Sequence, residues 1–518
     1  MTYGLKYSVW YDNRRAMIAK IHSAIPYGFE GKLVEVEGDM NRGLPAFNIV
    51  GMANKTINEA KERVRSAIVN SDFVFPNKKV TINLAPADLP KDGAHLDLPI
   101  ALSILILSGQ LLMSDIAGSA FVGELSLNGD LRPVRGIINI AEAAKTAGYQ
   151  KIYIPAQNLA QASLVKDIEI CGINTLQELY LALKGQFEPL RTNDALLPHK
   201  TALKGSGEPI LDHIRGQNLA KRAMQIAIAG HHNILISGPP GAGKTLLARA
   251  AANLLPELSP LEMVEITKIY SIAGQTNSEV VTSRSFRSPH HTSSATSIIG
   301  GASGPGEISL AHKGILFLDE MPEFPRSVLE ALRQPLEDKR ISISRVNCKV
   351  TYPADFMLVA TMNPCPCGYL GDPTHECKCT EVQIQNYQRK LSGPLIDRID
   401  MYIEVERVNN EDLMKQKEQK AAEHNVVKNN ITEALARQRN RFGEDGKYNS
   451  SLSSYQASTL IKLDSAAKKF LVAASNKLNL SARSYFKVMK VAQTIADLDG
   501  ADSVTSKHLA EALSFRRR

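Results

Sequence analysis

The sequence predicts a multidomain α/β protein: a mixed α/β domain, then a domain built on a parallel sheet, then a helical third region. Three observations predict it. The chain has 518 residues, and at roughly 150 residues per domain that gives about three to four cores. Four strongly apolar runs, NILISG, GILFLDE, FMLVATMN and MYIEVE, stand far apart in the second half of the chain. Fully apolar strands separated by helical stretches mark a parallel sheet covered on both faces. Beyond about Val408 the strand signal stops, and helical periodicity rich in Ala, Lys, Leu and Glu takes over.

Composition narrows the class. Hydrophobic residues make up 44% and charged residues 22%, which excludes a disordered chain. No apolar run approaches the roughly 20 residues that cross a bilayer, so no membrane partner is expected. The segment MTYGLKYSVWYDNRRAMIAK carries no apolar core of a secretion signal, and a cytoplasmic location is the expectation. Lys and Arg number 61 against 53 Asp and Glu, a net charge of +8, which makes a polyanion the more natural partner. Part of the excess lies at Arg437, Arg439 and Arg441 and at Arg516, Arg517 and Arg518. The alternative for these charges is a solvated helix face.

Taken in order, residues 1–185 alternate β-rich runs (LVEVEG, AFNIVGM, KVTINLAP, AFVGELSL, KIYIP) with helical patterns. Ile57, Ala60, Val64, Ala67 and Ile68 fall on one face of such a helix. Residues 186–212 lose periodicity and read as a linker. The parallel-sheet domain spans 213–407 and the helical region 408–518, with a second polar stretch from Gly443 to Ser454.

The first apolar strand of the sheet domain runs into Gly238-Pro239-Pro240-Gly241-Ala242-Gly243-Lys244-Thr245. This is G-x-x-x-x-G-K-[ST] between a strand and a helix-forming run, where backbone N–H groups wrap phosphates at a helix N-terminus. Lys244 then reaches the β and γ phosphates and Thr245 offers its hydroxyl to Mg²⁺. The second strand ends in Asp319-Glu320: Asp319 holds the Mg²⁺ hydration shell and Glu320 polarises the attacking water. The third ends in Asn363, placed for the γ-phosphate or that water, or else a strand-end cap. Before the fourth, LSGPLIDRID presents Arg398, whose plain alternative is an ion pair with Asp397 or Asp400.

With these residues in place, the chain resembles AAA+ ATPases of the magnesium-chelatase-like branch, and within it the YifB/ComM family. The likeness runs through GLPAFNIVG, TINLAPADLPKDGAHLDLPIAL, GPPGAGKT, FRSPHHTSSATSIIGG, PGEISLAHKGILFLDEMPEF, LRQPLED, MNPCPCG, SGPLIDRID and SARSYFKVMKVAQTIADL. It covers nearly the whole chain except about the first twenty residues. The resemblance implies that Asn363 is the sensor-1 residue, Arg398 the finger entering a neighbour's site, and Arg483 the sensor-2 arginine of the helical lid. Gly216 and Gln217 match the segment lining the adenine pocket. A finger acting in trans implies a ring, here a homohexamer. Where relatives carry arginines, the helix after Arg483 has Lys487, Lys490 and Gln493. Residues 1–185 resemble the Lon-protease fold, yet the nucleophile position falls on His95 and the lysine position on about Ile140. Without a hydroxyl and an amine base, peptide hydrolysis has no chemistry there, and the resemblance implies a noncatalytic scaffold.

Two constellations remain. Of six cysteines, Cys365, Cys367, Cys377 and Cys379 form C-x-C-x₉-C-x-C, which suits tetrahedral Zn²⁺ although C-x-C is tighter than the usual gap; reduced, unligated thiols are the alternative. The hairpin-like KRISISRVNCKVTYP carries Arg340, Arg345 and Lys349, a phosphate-contacting pore element or simply a decorated hairpin. The paired His290 and His291 lie on a polar loop that the resemblance implies faces the central pore; metal ligation is the alternative for the pair. The expectation is a hexameric, Mg²⁺-dependent ATPase that translocates on single-stranded, double-stranded or branched DNA. It would promote branch migration with recombination proteins, in natural transformation. The rival expectations are a protein unfoldase and a metal-chelatase motor subunit.

Overall fold

The computed structural model describes residues 18–51, 55–91, 93–191, 211–276, 278–301, 304–345, 348–372, 375–407, 422–443 and 446–517, without the side chains of 55–58, 345, 348 and 422. The linker expected at 186–212 falls mostly on 192–210, and the boundary expected at 408 falls on 408–421; both lie outside the described residues. The chain divides into two compact units. One holds the residues up to Thr201 together with Tyr270–Val280, and the other holds Ala202–Ile269 and Val281–Arg518.

The first unit contains two four-stranded sheets. In one, Ala19–Tyr27, Glu30–Asn41 and Lys79–Ala85 run antiparallel and Ala46–Val50 joins Lys79–Ala85 in parallel. In the other, Ser119–Phe121, Lys151–Pro155 and Glu169–Ile173 are parallel, edged by Leu190–Arg191. The helix Lys55–Asn70 buries Ala60, Val64, Ala67 and Ile68, the face its spacing predicts. Helix Asp97–Leu107 is buried along its whole length, so it has no polar face and its sequence carries no amphipathic signal. The strands AKIHSAIPY and EICGI were not legible as strands, because each mixes small and polar residues into a weak alternation.

The second unit is centred on a five-stranded parallel sheet in the spatial order Phe286–Arg287, Ile315–Leu318, Met357–Met362, Ile234–Ser237, Met401–Glu404. Four of these are the four apolar runs. The two-residue edge strand Phe286–Arg287 is too short to leave a pattern. Helices Ala422–Phe442, Ser465–Leu478, Ala482–Leu498 and Ser506–Ser514 follow. Their apolar faces (Ile431, Leu471, Val488, Ile495, Leu509) join Ile234, Phe317, Val359 and Met401 of the sheet in a single core. The Tyr402 N–H donates to the Phe515 carbonyl at 2.7 Å. Sheet and helical region are one packed body in energetic terms, since a shared core cannot open at one side without exposing the other.

Candidate functional site

The strand Ile234–Ser237 is buried at every position and is flanked on both sides by parallel neighbours. Its C-terminal end therefore opens onto the crevice where parallel sheets bind ligands. The chain turns through residues 238–243 into helix Lys244–Ala252. At Gly238 a Cβ would stand 2.4 Å from the Val405 carbonyl oxygen, so only glycine fits. Gly241 and Gly243 take φ of 79° and 80°, the left-handed region glycine enters without strain. These turns aim successive N–H groups at one point at the helix N-terminus. The Lys244 ammonium donates to the Gly238 carbonyl, to the Pro239 carbonyl at 3.1 Å and to Asn363 Oδ1 at 2.9 Å. Burial lowers its pKa, opposed by the charges of Asp319 and Glu320. Lys244 and Asn363, far apart in sequence, are brought into direct contact.

Strand Ile315–Leu318 delivers the acids. Asp319 Oδ2 accepts from the Thr245 hydroxyl at 3.1 Å, and Asp319 Oδ1 accepts from the Thr361 hydroxyl at 2.5 Å. Thr361 Oγ1 in turn accepts the Glu320 N–H at 2.9 Å. One fully buried threonine thus sets the carboxylate of one acid and the backbone of the other. Thr361 was not singled out from the sequence, because a threonine inside an apolar strand has no spacing signature. Glu320 has φ of 51°, a left-handed conformation that costs a non-glycine residue roughly 1–2 kcal/mol and is kept where geometry demands it. Two hard oxygen donors at hydrogen-bond distance beside a phosphate loop fit Mg²⁺. Gly216 and Gln217 have φ of 59° and 56°, and Gln217 Nε2 donates to the Glu406 carbonyl at 2.6 Å and to that of Ala242 at 3.4 Å. That brings the segment against the phosphate loop.

Arg398 corrects its plain alternative. It pairs with neither Asp397 nor Asp400; its guanidinium binds the Glu337 carboxylate and the Pro394 carbonyl, the latter at 2.7 Å. Asp400 instead accepts the Asn233 N–H at 2.9 Å. Arg483 reaches the same Glu337 at 3.8 Å. Among the described residues neither arginine bonds Lys244, Thr245, Asp319, Glu320 or Asn363. Glu337 lies in LRQPLED, a likeness segment to which the sequence alone gave no role.

The four cysteines converge. The Cys365, Cys367 and Cys377 sulfurs lie 3.4 to 3.6 Å apart, and all four ligand atoms, with Cys379, fall within 4.8 Å of one another. Tetrahedral Zn–S bonds of about 2.3 Å place sulfurs about 3.8 Å apart, so the cluster fits that ion. The backbone N–H of Tyr369 draws the Cys367 thiol down to about 6, while at Cys377 and Cys379 a backbone N–H bond is outweighed by desolvation and the neighbouring sulfurs, which hold both thiols above the ordinary range. One thiolate therefore forms readily, and a cation is needed to ionise those two. The knuckle touches the phosphate loop: a Cβ on Gly368 would stand 2.6 Å from Pro240 Cδ and 3.8 Å from Asn363 Cγ.

The basic groups sort themselves by use. Hairpin strands Arg340–Arg345 and Cys348–Pro353 bury Ile341, Ile343, Val350 and Tyr352 and expose Arg340 and Lys349; the side chain of Arg345 lies outside the described residues. Lys487 and Lys490 donate to the carbonyls of Ile399 and Ser450 at 2.7 and 3.1 Å, which keeps their ammonium groups inside the fold. Arg441 is bonded to the buried Asp497, and Arg437 to Asp502; Arg518 lies outside the described residues. The His290 and His291 rings lie 4.2 Å apart between centroids, tilted by 31°.

Residues 210–413 match the family described as magnesium chelatase, subunit ChlI, residues 36–158 match subunit ChlI of Mg-chelatase, and residues 421–516 match the ChlI C-terminal family. The chain is 43% identical over 507 residues to the competence protein ComM of Haemophilus influenzae, covering 96% of this chain and 97% of that one. It is 40% identical over 505 residues to the YifB protein of Escherichia coli, at 96% of each. With the magnesium-chelatase 67 kDa subunit of Chlorobaculum parvum it shares 27% identity over 154 residues, 29% of this chain and 23% of that one.

Proposed function

The chain belongs to the YifB/ComM family of magnesium-chelatase-like proteins, and from that premise we propose a ring-forming, Mg²⁺-dependent ATPase that moves along DNA and drives branch migration. The observation that carries the ATPase reading is the meeting of Lys244, Thr245, Asp319, Glu320 and Asn363 at the end of one parallel sheet. Bound Mg²⁺ would be held by Thr245 and Asp319, and it supplies charge neutralisation at the phosphates. Lys244 binds the β and γ phosphates, Glu320 accepts the proton of the attacking water, and Asn363 orients that water or the γ-phosphate. Gly216 and Gln217 border the base. Arg398, with Arg483, stabilises transition-state charge in a neighbour's site, which is why a hexamer is part of the proposal.

DNA as the track is supported by the net charge of +8, by the exposed Arg340 and Lys349 of the hairpin, and by the competence-protein relative, which also supports a role in transformation. The contacts would be to phosphates and not to bases. The cysteine knuckle would hold Zn²⁺ as a structural brace. The first unit is taken as a Lon-like scaffold without peptidase chemistry: Ile140 is fully buried and offers no amine.

The test is ATP turnover measured with single-stranded, double-stranded and branched DNA and with an unfolded protein, at low salt. Stimulation by DNA, falling steeply as salt is added, and movement of a branched junction only with Glu320 intact are the expected results. Stimulation by the unfolded protein alone would replace this reading with an unfoldase.

A further inference from the structure

Glu337 lies in the last turn of the short helix Arg333–Asp338 and is half exposed, yet it is the meeting point of two cations. The Arg398 side chain is only 12% exposed, bound to Glu337 through one terminal nitrogen and to the Pro394 carbonyl through the other. Among the described residues the buried Arg398 Nε has no hydrogen-bond partner. Arg483, 44% exposed, approaches the other oxygen of the same carboxylate at 3.8 Å. Two guanidinium groups this close repel unless an anion stands between them, and a largely dehydrated arginine needs a fixed counter-charge. Glu337 supplies both. Its own ionised form is favoured chiefly by the bond from Arg398.

Neither arginine bonds the phosphate-loop lysine, the two acids or Asn363; each terminal Arg398 nitrogen carries a second N–H beyond its bond to Glu337 or Pro394, and Arg483 is 44% exposed, so the pair can take an anion outside its own phosphate loop. Two planar forks held side by side match the oxygens of a polyphosphate. We propose that Glu337 is a positioning residue that holds Arg398 and Arg483 together as one site for the polyphosphate of a nucleotide bound to a second copy of this chain. The inference rests on the ATPase reading and adds to it a residue that touches no nucleotide itself.

In assemblies of the variant chain alone, Glu337→Gln keeps the shape and removes the charge. It should lower kcat for ATP about tenfold, a loss comparable to one charge-assisted hydrogen bond, with KM unchanged because the variant's own phosphate loop is intact. Glu337→Asp should recover part of kcat, and it decides the matter should the Gln chain fail to assemble. The direction of action is read by mixing. Wild-type chain is titrated with Lys244→Ala chain or with Lys244→Ala/Glu337→Gln chain, neither of which turns over ATP in its own site. The double variant should depress turnover at least about twofold further, since it spoils the arginines offered to wild-type neighbours. Superimposable titrations, or a raised KM at constant kcat, would overturn the assignment. Turnover lost in Lys244→Ala but indifferent to Glu337 overturns Glu337 alone, whereas a wild-type chain without turnover overturns the ATPase reading as well.

Discussion

Replacing Gly368 with alanine puts one methyl group between the cysteine knuckle and the phosphate loop. Two costs are readable from the structure. Gly368 has φ of 87°, and a side chain there costs roughly 1–2 kcal/mol. The added Cβ would also stand 2.6 Å from Pro240 Cδ and 2.8 Å from Pro240 Cγ, against an ordinary carbon contact of about 3.5–4.0 Å. Relief needs a shift of about 1 Å by a proline ring that has no rotamer to change, and overpacking of this kind costs about 1–3 kcal/mol. The sum, about 2–5 kcal/mol, lowers the melting temperature of the ATPase unit by roughly 3–8 °C. If the phosphate loop is what gives, turnover falls about 100-fold, the usual consequence of misplacing reacting groups by an ångström. Gly371 is the control: its φ is 79°, yet nothing lies within 4 Å of its added Cβ. Gly371→Ala should bear only the backbone cost and leave ATP turnover near wild type. Thermal unfolding and ATP hydrolysis of both variants suffice. Equal turnover in the Gly368 and Gly371 variants would refute the claim that the knuckle braces the phosphate loop.

Glu320→Gln should bind ATP normally and hydrolyse it about 10² to 10⁴ times more slowly; turnover within a few-fold of wild type would remove Glu320 as the base. Elemental analysis should find one Zn²⁺ per chain, lost when Cys365 and Cys367 become Ser together, whereas metal-free wild-type protein that still binds ATP would favour plain thiols. Burial pushes the His232 ring down from 6.5 to about 4, with Asp400 opposing. The unfolded chain therefore takes up a proton below pH 6.5 that the folded chain refuses until about pH 4, and stability falls as pH drops through that window by about 3 kcal/mol. Denaturant unfolding from pH 7 to pH 4 should show this slope added to that of the neighbouring His231, which burial pushes down to about 3, and His232→Asn should remove only the His232 share, about half of the two.

How much of this was legible in advance differs by residue. The phosphate loop reads directly, because Gly238, Gly243, Lys244 and Thr245 must sit in fixed spacing on a turn whose backbone does the binding. Asp319, Glu320 and Asn363 follow from their places at the ends of apolar strands. Thr361 and Glu337 do not, since each acts through a partner distant in sequence, and only the folded chain brings Thr361 to Asp319 or Glu337 to Arg398. The cysteine spacing announced a cluster, but not that Gly368 beside it abuts Pro240. Basic composition was the least informative signal: Lys487, Lys490 and Arg441 count toward the net charge while serving the interior.

Both units are assembled from non-contiguous stretches, and this has a consequence for synthesis. In the first, Ser271 donates to Gln161 at 2.9 Å and accepts the Gly136 N–H at 3.0 Å, and Gln161 also donates to the Glu279 carbonyl at 3.0 Å. Ser271 and Gln161 are fully buried. A nascent chain that has cleared the ribosome only to Thr201 leaves Gln161 and the Gly136 amide without these partners, in what will be interior. The second unit waits longer still, because the strand Met401–Glu404 is edged by Phe515. Neither body closes in the order it is translated. The phosphate loop at residues 238–245 leaves the ribosome long before the wall behind it exists, and chaperones have a long interval in which to meet an apolar, half-built sheet.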